Sequence, residues 1–511
     1  MKKTLQAVID RHAAGQADRV FLVDPEYDRE LSFGQLKENV SSIRHGLQRM
    51  GLPAGAKVAF LLDNGYWTAQ LFVGVMAAGR VIVPLNAVAG TRQLEHVLGH
   101  SDAEAVFVSE TYRERLTELI AAVDRDIRVI PLDDENGPQW PDEAGNTGID
   151  PDAESEESDA ALLLYTSGST GLPKGAVISQ RAIVSGGENV ALGHQLTVDD
   201  RALCVLPIYH INGAMVTVAA PLVSGSSVVM PSRFRASRYW QLVVDHHCTW
   251  SSIVPTIIKY LLDRAPQEPF EFGNDERLAA FRFGRSASAP LPAVVLKQWE
   301  DTFHVPMIET LGLTETAGTV STNPMPPRPR KPGSVGLAYG NEIRVVDETD
   351  QECPPLQSGE LVIRGDNVLD YYYKNPEATE GAFLGEWFRT GDLGQKDEEG
   401  YLYITGRLKE LIIRGGENIA PREIDDVLYK HDAILEAAAV GVDDDNYGQE
   451  VVACVVVRDG YQATEEELKT FCEQAVGSVK CPKTIYFLDD LPKGPSGKIQ
   501  RLKLPDIINA L

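Results

Sequence analysis

An α/β fold with a small α+β unit at its C-terminal end is the fold class that this sequence predicts. Helical and strand-like segments alternate through the first 330 residues, which is typical of doubly wound sheets. Residues 331–408 are instead rich in short strands and turns, and indicate a β-barrel-like subdomain. A chain of 511 residues is too long for one hydrophobic core, so several compact units are expected.

Periodicity and turn residues define the elements in chain order. The first block gives a helix at 34–50, a strand at 57–62, a helix at 66–79 and a strand at 80–84. The C-terminal unit gives a helix at 421–431, strands at 436–442 and 450–458, and a helix at 464–475. We therefore expect α/β subdomains at about 1–159 and 160–330 and a β-rich subdomain at 331–408, which together form a large domain of residues 1–408, followed by a small domain of residues 409–511.

Composition and charge limit the classes of partner. Hydrophobic residues make up 43% of the chain and charged residues 24%, as in soluble globular proteins. The 48 basic and 74 acidic residues give a net charge of −26, which repels nucleic acid and anionic membranes. A site for an anionic substrate must therefore be built from local donors.

The cysteines and the apolar segments predict a cytoplasmic protein without a membrane span. The six cysteines are scattered and form no CxxC pair, so we expect reduced thiols and neither a disulfide framework nor a zinc site. The N-terminus lacks the apolar core of a signal peptide. Residues 202–232 contain no charged side chain, but prolines and a Ser/Gly cluster interrupt them, which predicts a buried strand, a turn, a helix and a strand. Surface helices in the first 150 residues leave a homodimer open.

A hydroxyl-rich and glycine-rich loop at 165–175 is the strongest local signal. Residues 166–175 hold four hydroxyl side chains, three glycines and Lys174. Glycines let backbone N–H groups approach phosphate oxygens, hydroxyls add donors, and lysine adds a charge. The order differs from a Walker loop because Pro173 precedes the lysine and Gly175 follows it. The apolar segments on both sides make a flexible surface linker the weaker interpretation.

The sequence TSGSTGLPKG resembles the signature loop of the adenylate-forming superfamily, which includes acyl-CoA synthetases, carrier-loading adenylation domains and beetle luciferases. Further matches extend from about residue 166 to residue 501. The resemblance implies ATP-dependent activation of a carboxylic acid to an acyl-AMP, with Mg²⁺, and transfer of the acyl group to the thiol of CoA.

The resemblance also implies the site residues. Lys498, Thr314, Glu315 and His210 would be catalytic, with Glu315 holding Mg²⁺. The ATP or AMP site would contain Thr166, Ser167, Gly168, Ser169, Thr170, Lys174, Ser288, Ala289, Pro290, Glu309, Thr310, Leu311, Asp392 and Arg407. The acyl pocket would contain His210, Gly213, Ala287 and Gly312, and the CoA site Gly415, Gly416 and Glu417. Leu311 departs from the family, which usually stacks a tyrosine on the adenine there, so we expect weaker ATP binding.

Motion of the C-terminal domain is also implied. Lys498 and the Gly415–Gly416 pair lie on the same small domain, and both cannot face one centre together. By resemblance, this domain is mobile and rotates about Lys409 as a hinge between the two half-reactions.

The identity of the acid stays open at this point. Small residues such as Gly186, Gly187 and Ala214 leave room for a ring or a chain, or serve tight packing. Segments 232–240 and 330–336 are similar to the branch that includes oxalate–CoA ligases. A dicarboxylate would need a cation in the pocket, for which only Arg285 and His210 are candidates.

Three alternative functions remain. The enzyme could load the pantetheine of a separate carrier protein instead of CoA. A luciferase-like oxidase is disfavoured because the CoA-channel glycines are present. A non-catalytic nucleotide-binding regulator is disfavoured because the set of charged and hydroxyl residues named for the site is intact.

Overall fold

The computed structural model describes residues 2–141, 154–166, 173–494 and 498–511. In chain order the α-helices are α1 (Leu5–Gln16), α2 (Phe33–Arg49), α3 (Tyr66–Ala77), α4 (Thr91–His100), α5 (Arg113–Ala121), α6 (Gln180–His194), α7 (Ala220–Ser224), α8 (Ala236–Asp245), α9 (Pro255–Arg264), α10 (Ala293–Phe303), α11 (Pro376–Glu380), α12 (Pro421–Leu428), α13 (Glu465–Lys480) and α14 (Leu504–Ile508). A π-helix at Asn212–Ala219 precedes α7.

The first sixteen strands in chain order are β1 (Val20–Asp24), β2 (Arg29–Ser32), β3 (Lys57–Leu61), β4 (Val81–Pro84), β5 (Ala105–Ser109), β6 (Arg128–Asp133), β7 (Gly137–Pro138), β8 (Ala160–Thr166), β9 (Lys174–Ser179), β10 (Arg201–Leu203), β11 (Ser227–Val229), β12 (Trp250–Ile253), β13 (Phe283–Ser286), β14 (Met307–Leu313), β15 (Gly318–Thr322) and β16 (Leu337–Ala338). They are followed by β17 (Glu342–Val346), β18 (Gly359–Arg364), β19 (Tyr371–Tyr372), β20 (Phe383–Leu384), β21 (Trp387–Lys396), β22 (Leu402–Arg407), β23 (Ile412–Arg414), β24 (Glu417–Ile419), β25 (Ile434–Asp444), β26 (Gly448–Val457) and β27 (Thr484–Phe487).

The local patterns explain the helices that cover the sheets. Helix α2 begins at a capping box formed by Ser32 and Gln35, which satisfies two backbone donors. Its buried residues Leu36, Val40 and Ile43 recur every three or four positions and form one apolar face. That face packs in a core shared with α1, α3 and α6, so the predicted helix near 34–50 is confirmed.

The first sheet has eight strands in the order β19-β9-β8-β4-β3-β5-β6-β7. Strands β4, β3, β5 and β6 run parallel, as expected for a doubly wound layer. Strands β8 and β9 also belong to this sheet, although both follow the boundary that the sequence placed at residue 160. That boundary does not separate the sheets, because local patterns do not show which sheet edge a strand joins.

The second sheet has nine strands in the order β16-β15-β14-β13-β12-β10-β11-β1-β2. Its edge strands β1 and β2 come from the N-terminus, again across the predicted boundary. One apolar cluster contains Phe60 and Leu162 from the first sheet together with Trp250 and Phe283 from the second. Helices α1, α2, α3 and α6 therefore lie between the two sheets and join both α/β units into one body.

Residues 342–407 contain an antiparallel sheet in the order β17-β18-β21-β20, with β22 paired to β21. The sequence predicted a barrel-like unit here, whereas these pairings give an open sheet. Strand β19 leaves this region and pairs with β9 of the first sheet. The Tyr371–Tyr372 strand thus ties the β-rich unit to β9 of the first sheet.

The C-terminal unit has cores of its own on both faces of its sheet. Ala437, Ala439 and Val451 pack against α12 and α13 on one face of the sheet. The residues that alternate with them along the same strands point to the other face and pack with Leu504 of α14. This alternation is the period of two expected for a strand buried on both faces. A 3₁₀ helix at Leu408–Glu410 connects it to β22, and Arg501 Nε donates to Glu410 Oε2 at 3.2 Å.

The cysteines and the apolar character of the helices can be compared with the sequence predictions. All six cysteines are free thiols. Within the described ranges, no helix has both the length and the apolar character needed to cross a membrane.

Candidate active site

The phosphate loop connects two antiparallel strands. Thr166 ends β8 and lies opposite Lys174, the first residue of β9, so the strand register brings the two ends of the loop together. The predicted phosphate contacts Ser167, Gly168, Ser169 and Thr170 lie outside the described residues. Lys174 is partly exposed at the end of a strand that is otherwise buried, and its side chain is therefore presented at the loop.

Tyr372 connects Lys174 with Glu315. The Lys174 Nζ lies 5.3 Å from the centroid of the Tyr372 ring, and the Tyr372 hydroxyl donates to Glu315 Oε1 at 3.0 Å. Burial, then the charge on Glu315, raises the pKa of Tyr372, which therefore stays a donor. Sequence analysis missed Tyr372, and the run of three tyrosines at 371–373 was the available signal. Thr314 begins the 3₁₀ turn that carries Glu315 and is partly exposed.

Asp392 and Arg407 lie opposite each other on β21 and β22. Arg407 Nε donates to Asp392 Oδ1 at 2.6 Å, and Asp392 is only 4% exposed. About half of the Arg407 side chain stays accessible, 49% by area. The charge on Asp392 raises the pKa of Arg407. The pair thus presents a fixed guanidinium and a fixed carboxylate at the start of the interdomain connection.

Lys498 brings the C-terminal domain to the same cleft. Its side chain is exposed by surface area, although protein atoms surround its ammonium closely enough to disfavour the charged form. That desolvation, followed by the charge on Arg407, lowers the pKa of Lys498, while Asp392 and Glu315 act in the opposite direction. Four of the predicted site residues, Lys498 of the C-terminal loop, Arg407 and Asp392 of the β-rich sheet and Glu315 of the turn after β14, therefore lie around one cleft.

His210 faces Lys498 from the segment before the π-helix. Its Nε2 is buried and has no hydrogen-bond partner, and its ring contacts that of Tyr209 with centroids 4.8 Å apart. Burial, and then the charge on Lys498, lowers the pKa of His210 to about 4. The imidazole is therefore neutral at pH 7 and offers one unpaired nitrogen to a ligand.

The two glycines predicted for the acyl pocket lie close to backbone atoms of neighbouring segments. A Cβ on Gly213 would lie 2.4 Å from the carbonyl oxygen of Pro207, and a Cβ on Gly312 would lie 2.4 Å from that of Gly318. Both glycines are thus required by close backbone contacts, and their assignment to the acyl pocket remains a prediction. Ala287 is buried, 6% exposed, directly after β13.

The predicted adenine-side residues lie on two neighbouring segments. Ser288 adopts the left-handed conformation, with φ 72°, and accepts a hydrogen bond from Asn212 Nδ2 at 3.2 Å. Ala289 is half-buried and Pro290 is exposed. On β14, Thr310 Oγ1 donates to Ser286 O, and the partly exposed Leu311 packs against the core of the β-rich sheet.

Glu309 is a buried carboxyl beside this segment. It is 7% exposed, and the amide of Gly333 donates to its Oε2 at 3.0 Å. Burial raises the pKa of Glu309 to about 7, although the Gly333 hydrogen bond and the charges of Arg422 and Arg330 act in the opposite direction. Arg422 belongs to α12, so this carboxyl is influenced by the C-terminal domain.

The residues predicted for CoA and for the hinge are exposed. Gly415 and Gly416 form the turn between β23 and β24, with φ 60° and 86°, and Glu417 follows at the start of β24. A Cβ on Gly416 would meet no atom within 4 Å. Lys409 lies in the 3₁₀ connection between the domains. The contacts of these residues with CoA, and the hinge, remain predictions.

This fold and cleft define an adenylate-forming enzyme, and comparisons with known sequences agree. The family model described as AMP-binding enzyme matches residues 9–373, and the model described as AMP-binding enzyme C-terminal domain matches residues 423–498. The chain belongs to the AMP-binding enzyme family and is an AMP-forming acid–CoA ligase that uses ATP and CoA.

Two relatives with assigned acids cover most of the chain. A sulfoacetate–CoA ligase of Cupriavidus necator is 45% identical over 507 residues, which covers 98% of this chain and 97% of that protein. An oxalate–CoA ligase of Arabidopsis thaliana is 35% identical over 457 residues, which is 88% of each chain.

Solved structures match the whole chain. ATP-bound MatB from Rhodopseudomonas palustris superposes with a TM-score of 0.89 at 29% identity, over 99% of this chain and 100% of that chain. The apo form of the same protein gives 0.80 at 29% identity, over 99% of each chain. The structure described here is therefore more similar to the ATP-bound form.

The buried carboxyl of Glu309 predicts a pH-dependent stability. Its pKa rises from 4.5 to about 7 on folding, so a free-energy penalty grows between these pH values and is complete above pH 7. Glu309→Gln keeps an oxygen for the Gly333 amide and removes the charge. We predict that it stabilises the protein at pH 8 by on the order of 1–3 kcal/mol, and far less at pH 5.

Thermal unfolding of both proteins at pH 5 and pH 8 measures this difference. Glu348→Gln, at an exposed glutamate, serves as the control and should change Tm little at either pH. An equal change in Tm at both pH values for Glu309→Gln would contradict the interpretation.

Proposed function

We propose that this ligase activates a short acid that carries a second anionic group, such as a sulfonate or a carboxylate, in two half-reactions at one cleft. The meeting of Lys498, Arg407, Asp392 and Glu315 around that cleft is the observation that carries the proposal. The near full-length similarity to a sulfoacetate–CoA ligase, and the similarity to an oxalate–CoA ligase, support the acid class.

The first half-reaction forms the acyl-AMP. A carboxylate oxygen of the acid bonds to the α-phosphorus of ATP, and the bond from that phosphorus to the pyrophosphate oxygen breaks. Such a displacement needs positioning and charge stabilisation more than covalent chemistry from the protein. Lys174 holds the leaving pyrophosphate, Lys498 stabilises charge at the α-phosphate, and Thr314 contacts the same phosphate.

The nucleotide is held by the ion pair of the β-rich sheet. Asp392 has two carboxylate oxygens and accepts from the ribose hydroxyls, while Arg407 fixes its orientation at 2.6 Å. Glu315 fits Mg²⁺, which prefers carboxylate oxygen and takes most of its ligands from phosphate and water. When bound, Mg²⁺ would neutralise part of the charge on the triphosphate.

His210 orients the acid without exchanging a proton. Its pKa of about 4 keeps the ring neutral, and its unpaired Nε2 is available to a carboxylate oxygen of the acid. The charge on Lys498 contributes to that low pKa, so His210 becomes more basic when Lys498 leaves the cleft.

The second half-reaction transfers the acyl group to CoA. The thiol sulfur bonds to the acyl carbon, and the bond from that carbon to the AMP oxygen breaks. We assign the exposed Gly415–Gly416 turn and Glu417 to the pantetheine side, after rotation of the C-terminal domain about Lys409. The higher TM-score against ATP-bound MatB than against the apo form supports a domain arrangement that depends on the nucleotide.

The two half-reactions should separate in a Lys498→Ala variant. Removal of a preorganised cation costs on the order of 10²–10³ in rate, so acyl-AMP formation should fall by that factor. Thioester formation from supplied acyl-AMP should stay within a few-fold of the parent, because Lys498 has left the cleft by then.

Single-turnover assays of each half-reaction check this prediction. Lys493→Ala is the matched control, because Lys493 lies in the same loop and pairs with Glu436 and Asp490 away from the cleft. Equal losses in both half-reactions for Lys498→Ala would refute the division between them.

A panel of acids tests the substrate class. Pyrophosphate release with ATP and Mg²⁺ is measured for sulfoacetate, oxalate, malonate, acetate, benzoate and octanoate, with and without CoA. We expect kcat/KM for at least one of the first three acids to be at least about tenfold higher than kcat/KM for acetate. The attraction between the second anionic group and a cation of the protein should outweigh the contact that the methyl group of acetate would make. Preference for benzoate or octanoate would exclude the proposed acid class.

A further inference from the structure

The guanidinium of Arg285 is buried without a counter-ion. Arg285 lies on β13 and is 2% exposed. Its Nη1 donates to Asn212 Oδ1 at 3.0 Å and to Ser252 Oγ at 2.8 Å, and its Nη2 donates to Thr319 Oγ1 at 2.7 Å. Its Nε has no hydrogen-bond partner. Among the described residues, no carboxylate lies within ion-pair distance of it, so a full positive charge is enclosed by neutral groups.

Such a charge is costly unless something else compensates it. A buried ion without a partner costs several kcal/mol. Burial lowers the pKa of Arg285 to about 9, so it is still protonated at pH 7. The neighbouring His194 adds no charge, because burial and then Arg285 lower its pKa to about 3.

Arg80 shows how a buried arginine is otherwise stabilised. Arg80 is 4% exposed, and its Nε also lacks a partner. Its two terminal nitrogens donate to the backbone carbonyls of Leu52 and of Ala78, which ends helix α3. The negative end of that helix dipole compensates its charge. Arg285 has no such helix end among its partners.

Asn212 links this buried cation to the candidate active site. Its Oδ1 accepts from both Arg285 and Ser252, which orients its amide so that Nδ2 donates to Ser288 Oγ. Ser288 is partly exposed and belongs to the segment predicted at the nucleotide. His210, whose Nε2 is unpaired, lies two residues before Asn212. The cation is thus one side chain away from groups that face the cleft.

The same side chain joins three elements of the fold. Arg285 contacts β12 through Ser252, β15 through Thr319 and the first residue of the π-helix through Asn212. It therefore fills the layer between the second sheet and the π-helix. Backbone atoms also occupy the space beside Gly213 and Gly312.

We propose that Arg285 is the specificity-determining residue for the second anionic group of the acid, and that it acts through Asn212 and Ser288. The sulfonate or the distal carboxylate of the acid supplies the negative charge that compensates Arg285. This inference rests on the proposed function, because it concerns the acid of the same reaction. Arg285 is a positioning residue, since it is enclosed by its partners and acts across Asn212.

The test compares acids in Arg285→Met, which replaces the guanidinium by a neutral side chain. The measured quantity is the ratio of kcat/KM for sulfoacetate, and for oxalate, to that for acetate. We expect each ratio to fall roughly 30- to 100-fold, the effect of one charge about 7 Å away in a partly screened site. Arg285→Lys keeps the charge and should restore most of the ratio. Because an unpaired charge has been removed, Tm should not fall.

A second variant, Asn212→Asp, tests the same inference if the Arg285→Met protein does not fold. The new carboxylate neutralises Arg285 from within the protein, so Tm should rise while the two ratios fall. Arg80→Met is the matched control at a buried arginine in the first sheet, and should leave both ratios unchanged.

The outcomes separate the inference from the proposed function. If the parent enzyme shows no preference for sulfoacetate or oxalate over acetate, the proposed acid class is wrong and the inference falls with it. If the parent enzyme has that preference and the Arg285→Met and Asn212→Asp variants retain it, the acid class stands and the role of Arg285 is wrong. Equal losses for all acids would show a merely structural role and would also overturn the inference.

Discussion

The ion pair between Asp392 and Arg407 is the interaction on which the cleft depends. Antiparallel pairing of β21 and β22 places these residues opposite each other, and the 2.6 Å contact fixes both side chains. A carboxylate buried to this extent would be unfavourable without its partner. Because Arg407 is also the last residue of β22, the same pair positions the connection to the C-terminal domain and, through it, Lys498.

Local charges in the cleft oppose the charge of the whole protein. The chain carries a net charge of −26, yet Lys174, Arg407 and Lys498 converge where an anionic nucleotide would bind. Burial, and then the charge on Arg407, lower the pKa of Lys498, so these cations repel each other when no anion is present. A triphosphate relieves that repulsion. In the same way, the second anionic group of the acid would compensate the buried charge of Arg285.

Much of the fold could be predicted from periodicity, whereas the roles that the motifs imply for the site residues remain predictions. Helices such as α2 and the order of the units followed from spacing within single segments, which is what local patterns record. The pairing of β8 and β9 with the first sheet, and of β1 and β2 with the second, depends on contacts between distant segments. For the same reason, Tyr372 between Lys174 and Glu315 escaped notice, and so did the link from Arg285 through Asn212 to Ser288. At Gly213 and Gly312 the limit is similar, because a glycine signals close approach without showing what approaches.

The affinity for ATP in an Asp392→Asn variant tests the central claim most directly. Isothermal titration in the presence of Mg²⁺ gives Kd for the parent, for this variant and for Asp24→Asn, which alters a similarly buried ion pair with Arg29 in another sheet. If the Asp392–Arg407 pair holds the nucleotide, Kd rises at least about tenfold in Asp392→Asn, since a charge-assisted bond is lost. Kd should stay unchanged in Asp24→Asn. An unchanged Kd in a folded Asp392→Asn protein would contradict the account.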